Sequence, residues 1–375
     1  MLLITQLNIP AGVIDLGAGE PNQRSFPLEL LRRAAETRFA QGDPSFLQYG
    51  LEQGDGYFRA ALAQLLTRSY GHAVAPENLF VTAGISSALD LLCTLFTRPG
   101  DTVLVEETTF FVAPRIFADH HLNLIPIAMD EQGLIPEALE AALQTHHPRF
   151  IYTIPVHHNP TGLTLTEPRR LRLLELARQF DCLILADEVY QLLTYTGTPP
   201  QPMAVHIYDE HVISLSSFSK ILAPGLRLGW IQAHATVIQR LVACGLLDSG
   251  GGMNPFTSAI VRGAIETGGL EEHIGQLKLK YQEQLSAMEE AVRLHLPQAQ
   301  FHVPQGGYFL WLRLPKGIDT RALRPQARAQ QTDFRPGALF SVSGGAGNCL
   351  RLCFAHYEAT QIREGILRLQ QGLGG

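Results

Sequence analysis

Through the middle of the chain, short apolar runs alternate with stretches whose apolar positions recur every three or four residues. The runs cover residues 102–105, 122–127, 150–154, 182–186, 212–215 and 228–232, and helical spacing fills intervals such as 86–96 and 168–180. A strand covered on both faces has no polar side to show, so it reads as an apolar run rather than an alternation. Such runs separated by helices predict an α/β fold with a mainly parallel sheet covered by helices. From about residue 271 to 294 the spacing becomes one long amphipathic helix. After it, FLWLRL (309–314), a proline-rich segment and LRLCFA (350–355) predict a smaller α+β domain. The beginning of the chain reads as an arm and one helix, joined by the loop GAGEPNQRSFP at 17–27. We place the large domain at 43–270 and the small domain at 1–42 with 271–375, and take 196–202 for a surface loop.

Composition narrows the function classes. Apolar residues make up 46% of the 375 and charged residues 17%, below the roughly 25% charged of an ordinary soluble domain. Disordered, collagen-like and low-complexity proteins are excluded on that ground. With 29 Lys and Arg against 35 Asp and Glu, the net charge is −6, and no basic helix-turn-helix segment precedes Leu16, so we expect no nucleic-acid partner. No apolar run reaches the ~18 residues a membrane span needs; the longest candidate, 221–247, is broken by Arg227 and Arg240. No basic stretch and cleavage site open the chain, so the expectation is a cytoplasmic protein.

Five cysteines are too few, and odd in number, for a disulfide framework. Cys349 and Cys353 fall on alternate positions of a buried strand, and no second Cys or His pair stands at zinc spacing, so we expect no metal. The pairs His120-His121, His146-His147 and His157-His158 place neighbours on opposite faces of a strand, where they cannot share a ligand. Dinucleotide, Walker A, zinc-protease and nucleophile-elbow motifs are all missing.

The residues able to carry chemistry follow predicted strands: HHNPTG at 157–162, ADEVY at 186–190, SSFSK at 216–220 and ILAPGLRLGW at 221–230. Ligands of open α/β sheets sit at those strand ends. Taken alone, Lys220 has the pattern of a snorkelling surface lysine; stripped of water it would be a nucleophile suited to Schiff-base chemistry. Ser217, Ser219 and Arg227 around it offer two hydroxyls and a guanidinium to a phosphate. Asp187 ends an apolar strand, and a buried carboxylate needs a cationic or protonated partner. Tyr190 and Asn159 are donors suited to a phenolic oxygen. TAGISSA at 82–88 reads either as a serine-capped helix start or as an anion site at the amides of Ile85 and Ser86 behind Gly84. Arg351 stands inside an apolar strand, where it is costly without an anion.

Together these segments resemble the signature of fold type I pyridoxal 5′-phosphate (PLP) enzymes, the class I and II aminotransferases. The S-x-S-K-x-x-x-P-G-x-R-x-G pattern at 217–229 is similar to that of the 2-aminoadipate/kynurenine aminotransferase branch, which includes the catalytic domains of MocR-type regulators. The match runs from GAGEP at 17–21 to LRLCFA at 350–355. It implies a seven-stranded sheet in the large domain, PLP as cofactor, and amino-group transfer between an amino acid and a 2-oxo acid by a ping-pong mechanism. It implies a Schiff base at Lys220, Asp187 on the pyridine nitrogen, and Asn159 and Tyr190 on the phenolic oxygen. It also implies Phe110 over the ring and Gly84, Ile85, Ser86, Ser217, Ser219 and Arg227 around the phosphate. Gly19, Asn159 and Arg351 would meet the substrate carboxylate. Tyr49 would reach the phosphate of a neighbouring subunit, making a homodimer with shared sites.

Where the family reads Glu-x-Pro-x-Tyr, this chain has Glu106-Glu107-Thr108-Thr109-Phe110. A non-proline cis bond costs about 2.5–4 kcal/mol, so Glu107–Thr108 is expected trans, whereas the resemblance implies a cis Asn159–Pro160 bond. Arg24 reads as a solvated loop residue or a contact to an acidic substrate side chain. Three alternatives stay open: a PLP-dependent C–S lyase, a non-catalytic PLP or amine sensor, and an α/β protein for another phosphate ligand.

Overall fold

The computed structural model describes residues 6–373; the first five residues of the arm and the last two of the chain lie outside the described residues. The large sheet has seven strands. In chain order they are β1 Leu79–Thr82, β2 Thr102–Glu106, β3 Asn123–Ile127, β4 Phe150–Thr153, β5 Leu183–Asp187, β6 Val212–Ser217 and β7 Gly229–Ala233. Their order across the sheet is β1-β7-β6-β5-β4-β2-β3, with β7 antiparallel to both neighbours and the other pairings parallel. The α/β expectation and the seven strands are borne out. β1 matches none of the six apolar runs: it is only four residues long, and its Thr82 interrupts the apolar pattern although every position is buried.

Helices Ile85–Phe96, Ala113–Asp119 and Ala235–Val242 bury Leu89, Leu92, Phe117 and Leu241 in one core with Phe80, Tyr152 and Leu215. Helices Pro136–His146 and Glu167–Gln179 put Leu139, Leu173 and Leu176 in a second core with Ile151 and Ile184. A third core runs from Phe58 and Leu62 through Phe218 and Trp230 to Leu277, Tyr281 and Leu352, so strand ends and small sheet share one apolar body. Burial of this kind stabilises by about 25 cal/mol per Å² of apolar surface.

The small sheet is antiparallel, with Phe309–Arg313 and Arg335–Pro336 flanking Cys349–Cys353. Ile14–Asp15 pairs in parallel with Thr332–Asp333 and ties the arm to it. The helix Leu28–Ala40 rests on Pro255–Glu266, where a Cβ at Gly263 would lie 3.3 Å from the Cβ of Ala34. All five cysteines are free and buried. Among the described residues no helix is long and apolar enough to cross a membrane, and no group of His, Cys, Asp and Glu could hold a metal ion.

Candidate active site

β4, β5 and β6 end side by side, with Thr153 opposite Ala186 and Asp187 opposite Leu215. The reversed β7 brings its amino end to the same edge: Gly229 pairs with Ser217 on one side and Thr82 on the other. That reversal carries Arg227, two residues earlier, to the start of the helix after β1. A Cβ at Gly229 would lie 2.7 Å from the Ser216 carbonyl oxygen and 2.9 Å from Gly84 Cα, so only glycine permits the approach.

Asp187 closes β5, buried. The Tyr152 hydroxyl donates to its Oδ2 at 2.9 Å and the Val189 amide to Oδ1 at 3.3 Å. Burial pushes this carboxyl up to about 6. Neither donor is charged, so a protonated ring nitrogen would complete the carboxylate's bonding.

Lys220 lies in the turn after β6. Its Nζ donates to the Gly19 carbonyl at 3.0 Å and lies 5.4 Å from the centre of the Tyr308 ring. Burial holds its pKa below the ordinary lysine range, against smaller opposing effects of Cys353 and Glu20. An amine so placed is available as a nucleophile and base.

Between these strand ends and the next helix lies an anion cradle. Ser217 Oγ and Ser219 Oγ are 2.8 Å apart, and the Ser219 amide donates to Ser217 Oγ at 3.1 Å. Arg227 has φ +46°, and its Nη2 donates to the Ala83 carbonyl at 3.0 Å. The helix Ile85–Phe96 starts at Gly84, φ +95°, with no side-chain cap. The serine cap is therefore not made, and the helix start presents amides to an anion beside a guanidinium. Space is kept for it: a Cβ at Gly84 would lie 2.9 Å from Arg227 Nη2.

Arg351 is 3% exposed. Its Nη1 donates to Asn159 Oδ1 and its Nη2 to the Gly17 carbonyl, each at 2.9 Å. The guanidinium lies 4.0 Å from the Phe309 ring centre and 4.8 Å from that of Phe340. Its Nε is buried without a hydrogen-bond partner, and burial lowers its pKa to about 10. Gly19 stands between the two cations: its oxygen takes Lys220, and a Cβ on it would lie 3.0 Å from Arg351 Nη2. Among the described residues no carboxylate forms an ion pair with Arg351, so an incoming one has a site.

Asn159 enters through the cis Asn159–Pro160 bond, and Glu107–Thr108 is trans. Tyr190 is buried, with its ring centre 5.3 Å from that of Tyr308 and 6.0 Å from that of Phe309. Phe110 is partly buried at the edge of the core that holds Phe80 and Tyr152, 5.5 Å from Phe111. Ser86 and Arg24 are exposed. Tyr49 is 79% exposed, and the structure does not bring it to the other site residues within one chain.

Sequence reasoning passed over Tyr152, Tyr308, His158 and Glu106. Glu106, buried at the end of β2, accepts from Thr153 Oγ1 at 2.7 Å and the Ile154 amide at 3.0 Å, and lies 3.0 Å from His158 Nε2. This network ties the backbone ahead of the HHNPTG loop to a histidine within it. The signal was a polar group inside an otherwise apolar run, which has to find a partner when buried.

Residues 11–369 match the family model described as aminotransferase class I and II. An aromatic-amino-acid aminotransferase of Thermococcus litoralis is 35% identical over 366 residues, 96% of this chain and 87% of the relative. A multiple substrate aminotransferase from Thermococcus profundus superposes with a TM-score of 0.90 at 33% identity, over 97% of this chain and 91% of that one. An α-aminoadipate aminotransferase from Thermus thermophilus, solved with N-(5′-phosphopyridoxyl)-L-leucine, gives 0.88 at 29% identity, over 97% and 92%. The family match spans nearly the whole chain, and the chain belongs to the class I and II aminotransferases. It is a PLP-dependent transferase of fold type I.

Proposed function

We propose that Lys220 is the lysine that reacts with PLP and that Arg351 receives the α-carboxylate of the amino acid and of the 2-oxo acid. The observation that carries this is the placement of Gly19 between a half-buried amine and a buried guanidinium whose Nε lacks a partner. Both substrates of the transfer carry a carboxylate on the reacting carbon, so one arginine serves both half-reactions.

PLP supplies an aldehyde for the amine and an electron sink for the pair left at the substrate's α-carbon. Ser217, Ser219, Arg227 and the amides of Ile85 and Ser86 hold its phosphate. Asp187 keeps the ring nitrogen protonated, Asn159 and Tyr190 take the phenolic oxygen, and Phe110 covers the ring. Arg351 and the Gly19 backbone fix the carboxylate, which turns the Cα–H bond toward Nζ of Lys220. Nζ takes that proton as a neutral amine and would hand it to the carbon that bore the cofactor's aldehyde.

The aromatic and aminoadipate donors named for the relatives are the first to try. Tyr49 suits contact with a second copy, as Leu47, Leu51 and Tyr57 around it are exposed as well, and we read the protein as a homodimer with shared sites. Five unpaired cysteines suit the reducing cytoplasm. The division at residues 43 and 271 follows the two sheets and the long helix Gly269–His295 that joins them.

Borohydride reduction of the cofactor-bound protein followed by peptide mapping should place a pyridoxyl group on Lys220, and Lys220→Ala should bind cofactor without turning over. A label on another lysine, or near-normal turnover in Lys220→Ala, would remove the assignment. Pyruvate and ammonia released without a keto-acid acceptor would mean the lyase reading instead.

A further inference from the structure

Three buried tyrosines and the partly buried Tyr195 form a chain of rings that reaches Lys220 through Tyr308. Ring centres are 5.3 Å apart for Tyr190 and Tyr308, 5.2 Å for Tyr308 and Tyr281, and 6.0 Å for Tyr281 and Tyr195. Tyr190 belongs to the loop after β5. Tyr308 enters the strand Phe309–Arg313, and Tyr281 lies on the helix Gly269–His295.

The Tyr308 hydroxyl lies 2.7 Å from the Lys220 carbonyl oxygen and 3.3 Å from the Tyr281 hydroxyl. A carbonyl only accepts, so the single Tyr308 proton goes there, and Tyr281 must donate to Tyr308. Burial drives Tyr308 far above the ordinary phenol range and Tyr281 up to about 12. Both stay neutral across the pH range of any ordinary assay, so the relay does not titrate there.

The main chain around Tyr308 leaves it little freedom. Gly307 has φ +75°, and its amide donates to the Leu193 carbonyl at 3.0 Å. A Cβ at Gly306 would lie 2.1 Å from that same oxygen, and one at Gly307 2.8 Å from His157 Cβ. The Tyr195 hydroxyl donates to the Gly307 carbonyl, and the Phe354 amide to the Tyr308 carbonyl at 3.0 Å. The Q-G-G-Y-F sequence thus threads a channel that only glycines fit, and delivers the phenol to the root of the lysine.

We infer that Tyr308 is a positioning residue, its hydroxyl fixing the main chain of Lys220 and its ring bounding the swing of Nζ, with Tyr281 holding that hydroxyl from the long helix. The inference rests on Lys220 being the reacting lysine. A lysine side chain has four rotatable bonds, and its amine must meet the cofactor, leave it and return to the α-carbon. A fixed root narrows the arc it sweeps, and a misplacement near 1 Å can cost about 10²-fold in rate. The lysine turn keeps other anchors, such as the Leu222 amide on the Phe218 carbonyl at 2.8 Å, so the hydroxyl is not all that holds it.

Tyr308→Phe keeps the ring and removes the hydroxyl. In the cofactor-bound protein we expect kcat lower by about tenfold with KM for the donor changed less than about twofold, the pattern of a lost interaction that does not bind ground-state substrate. Decay of the cofactor's visible band after donor addition should slow by the same factor, and cofactor-free protein should capture added PLP more slowly. Tyr281→Phe should shift all three in the same direction by a smaller factor. Borohydride mapping runs alongside. Unchanged rates and capture in Tyr308→Phe with the label on Lys220 would overturn the inference while leaving the site assignment intact. A label elsewhere in the unsubstituted protein would overturn both. If Tyr308→Phe fails to fold by circular dichroism, Tyr281→Phe decides: unchanged rates and capture overturn the inference.

Discussion

Asp187 shows how one side chain can be a liability alone and an asset with cofactor. Its carboxyl is ordinarily near 3.8 and burial pushes it up to about 6. Between those values the folded chain holds a proton that the unfolded chain has released. Stability of the cofactor-free protein should therefore fall as pH rises through that window and level off above it. At 1.36 kcal/mol per pH unit the window corresponds to about 3 kcal/mol. Asp187→Asn cannot titrate, so urea unfolding of the two cofactor-free proteins from pH 4 to 7 should diverge by that amount in favour of Asn. Parallel curves would mean that the carboxylate has a partner the structure does not show. A protonated ring nitrogen reverses the sign, since it stabilises the charged form. At this level the sequence was informative: Lys220, Asn159 and Arg351 meet around Gly19, and Asp187 and Arg227 lie at the ends of neighbouring strands. Tyr152 and Tyr308 were illegible because a tyrosine in an apolar run looks like core, and its hydroxyl partner comes from another element.

Strand direction decides what the elements can do, and direction is not written in local pattern. The runs at 212–215 and 228–232 are equally apolar, yet β6 and β7 run oppositely, and the intervening turn delivers Arg227 to the helix at Gly84. β1 was missed for the same reason that it works: four fully buried residues give a helix start its position without a periodic signal. Gly229 is where this geometry is tightest, with 2.7 Å to the Ser216 oxygen from a hypothetical Cβ. Gly229→Ala should push β7 away from Gly84 and Ser217 and open the cradle. Affinity for PLP should then drop by at least about tenfold, the equivalent of 1.4 kcal/mol, while affinity for pyridoxal, which lacks the phosphate, stays nearly constant. Equal losses for both ligands would show general damage to the sheet, and no loss would show that the sheet yields at no cost to the cradle.

For the molecule as a whole, the open question is whether one chain suffices. Tyr49 is 79% exposed, and Leu47, Leu51, Tyr57, Leu246 and Phe256 expose apolar surface from the two segments that flank it in space or sequence. Gly50 and Gly252 bind those segments together, amide to carbonyl at 3.2 Å, and Phe46 stacks on Phe256 at 5.8 Å. Apolar surface concentrated in this way marks an interface. If a second copy covers it in a two-fold arrangement, each Tyr49 is buried against the other subunit's cradle and each site draws on two chains. Complementation tests that directly. Lys220→Ala lacks the amine but keeps Tyr49; Tyr49→Ala keeps the amine. Each homodimer should be impaired. In a mixed dimer the site on the Tyr49→Ala chain has its own Lys220 and receives Tyr49 from the other. Random mixing makes half the dimers mixed, each with one complete site of two, so activity should recover to about a quarter of the unsubstituted level. Activity equal to the average of the two homodimers would mean that every site is complete within one chain. Full activity in Tyr49→Ala alone would take the tyrosine out of the site.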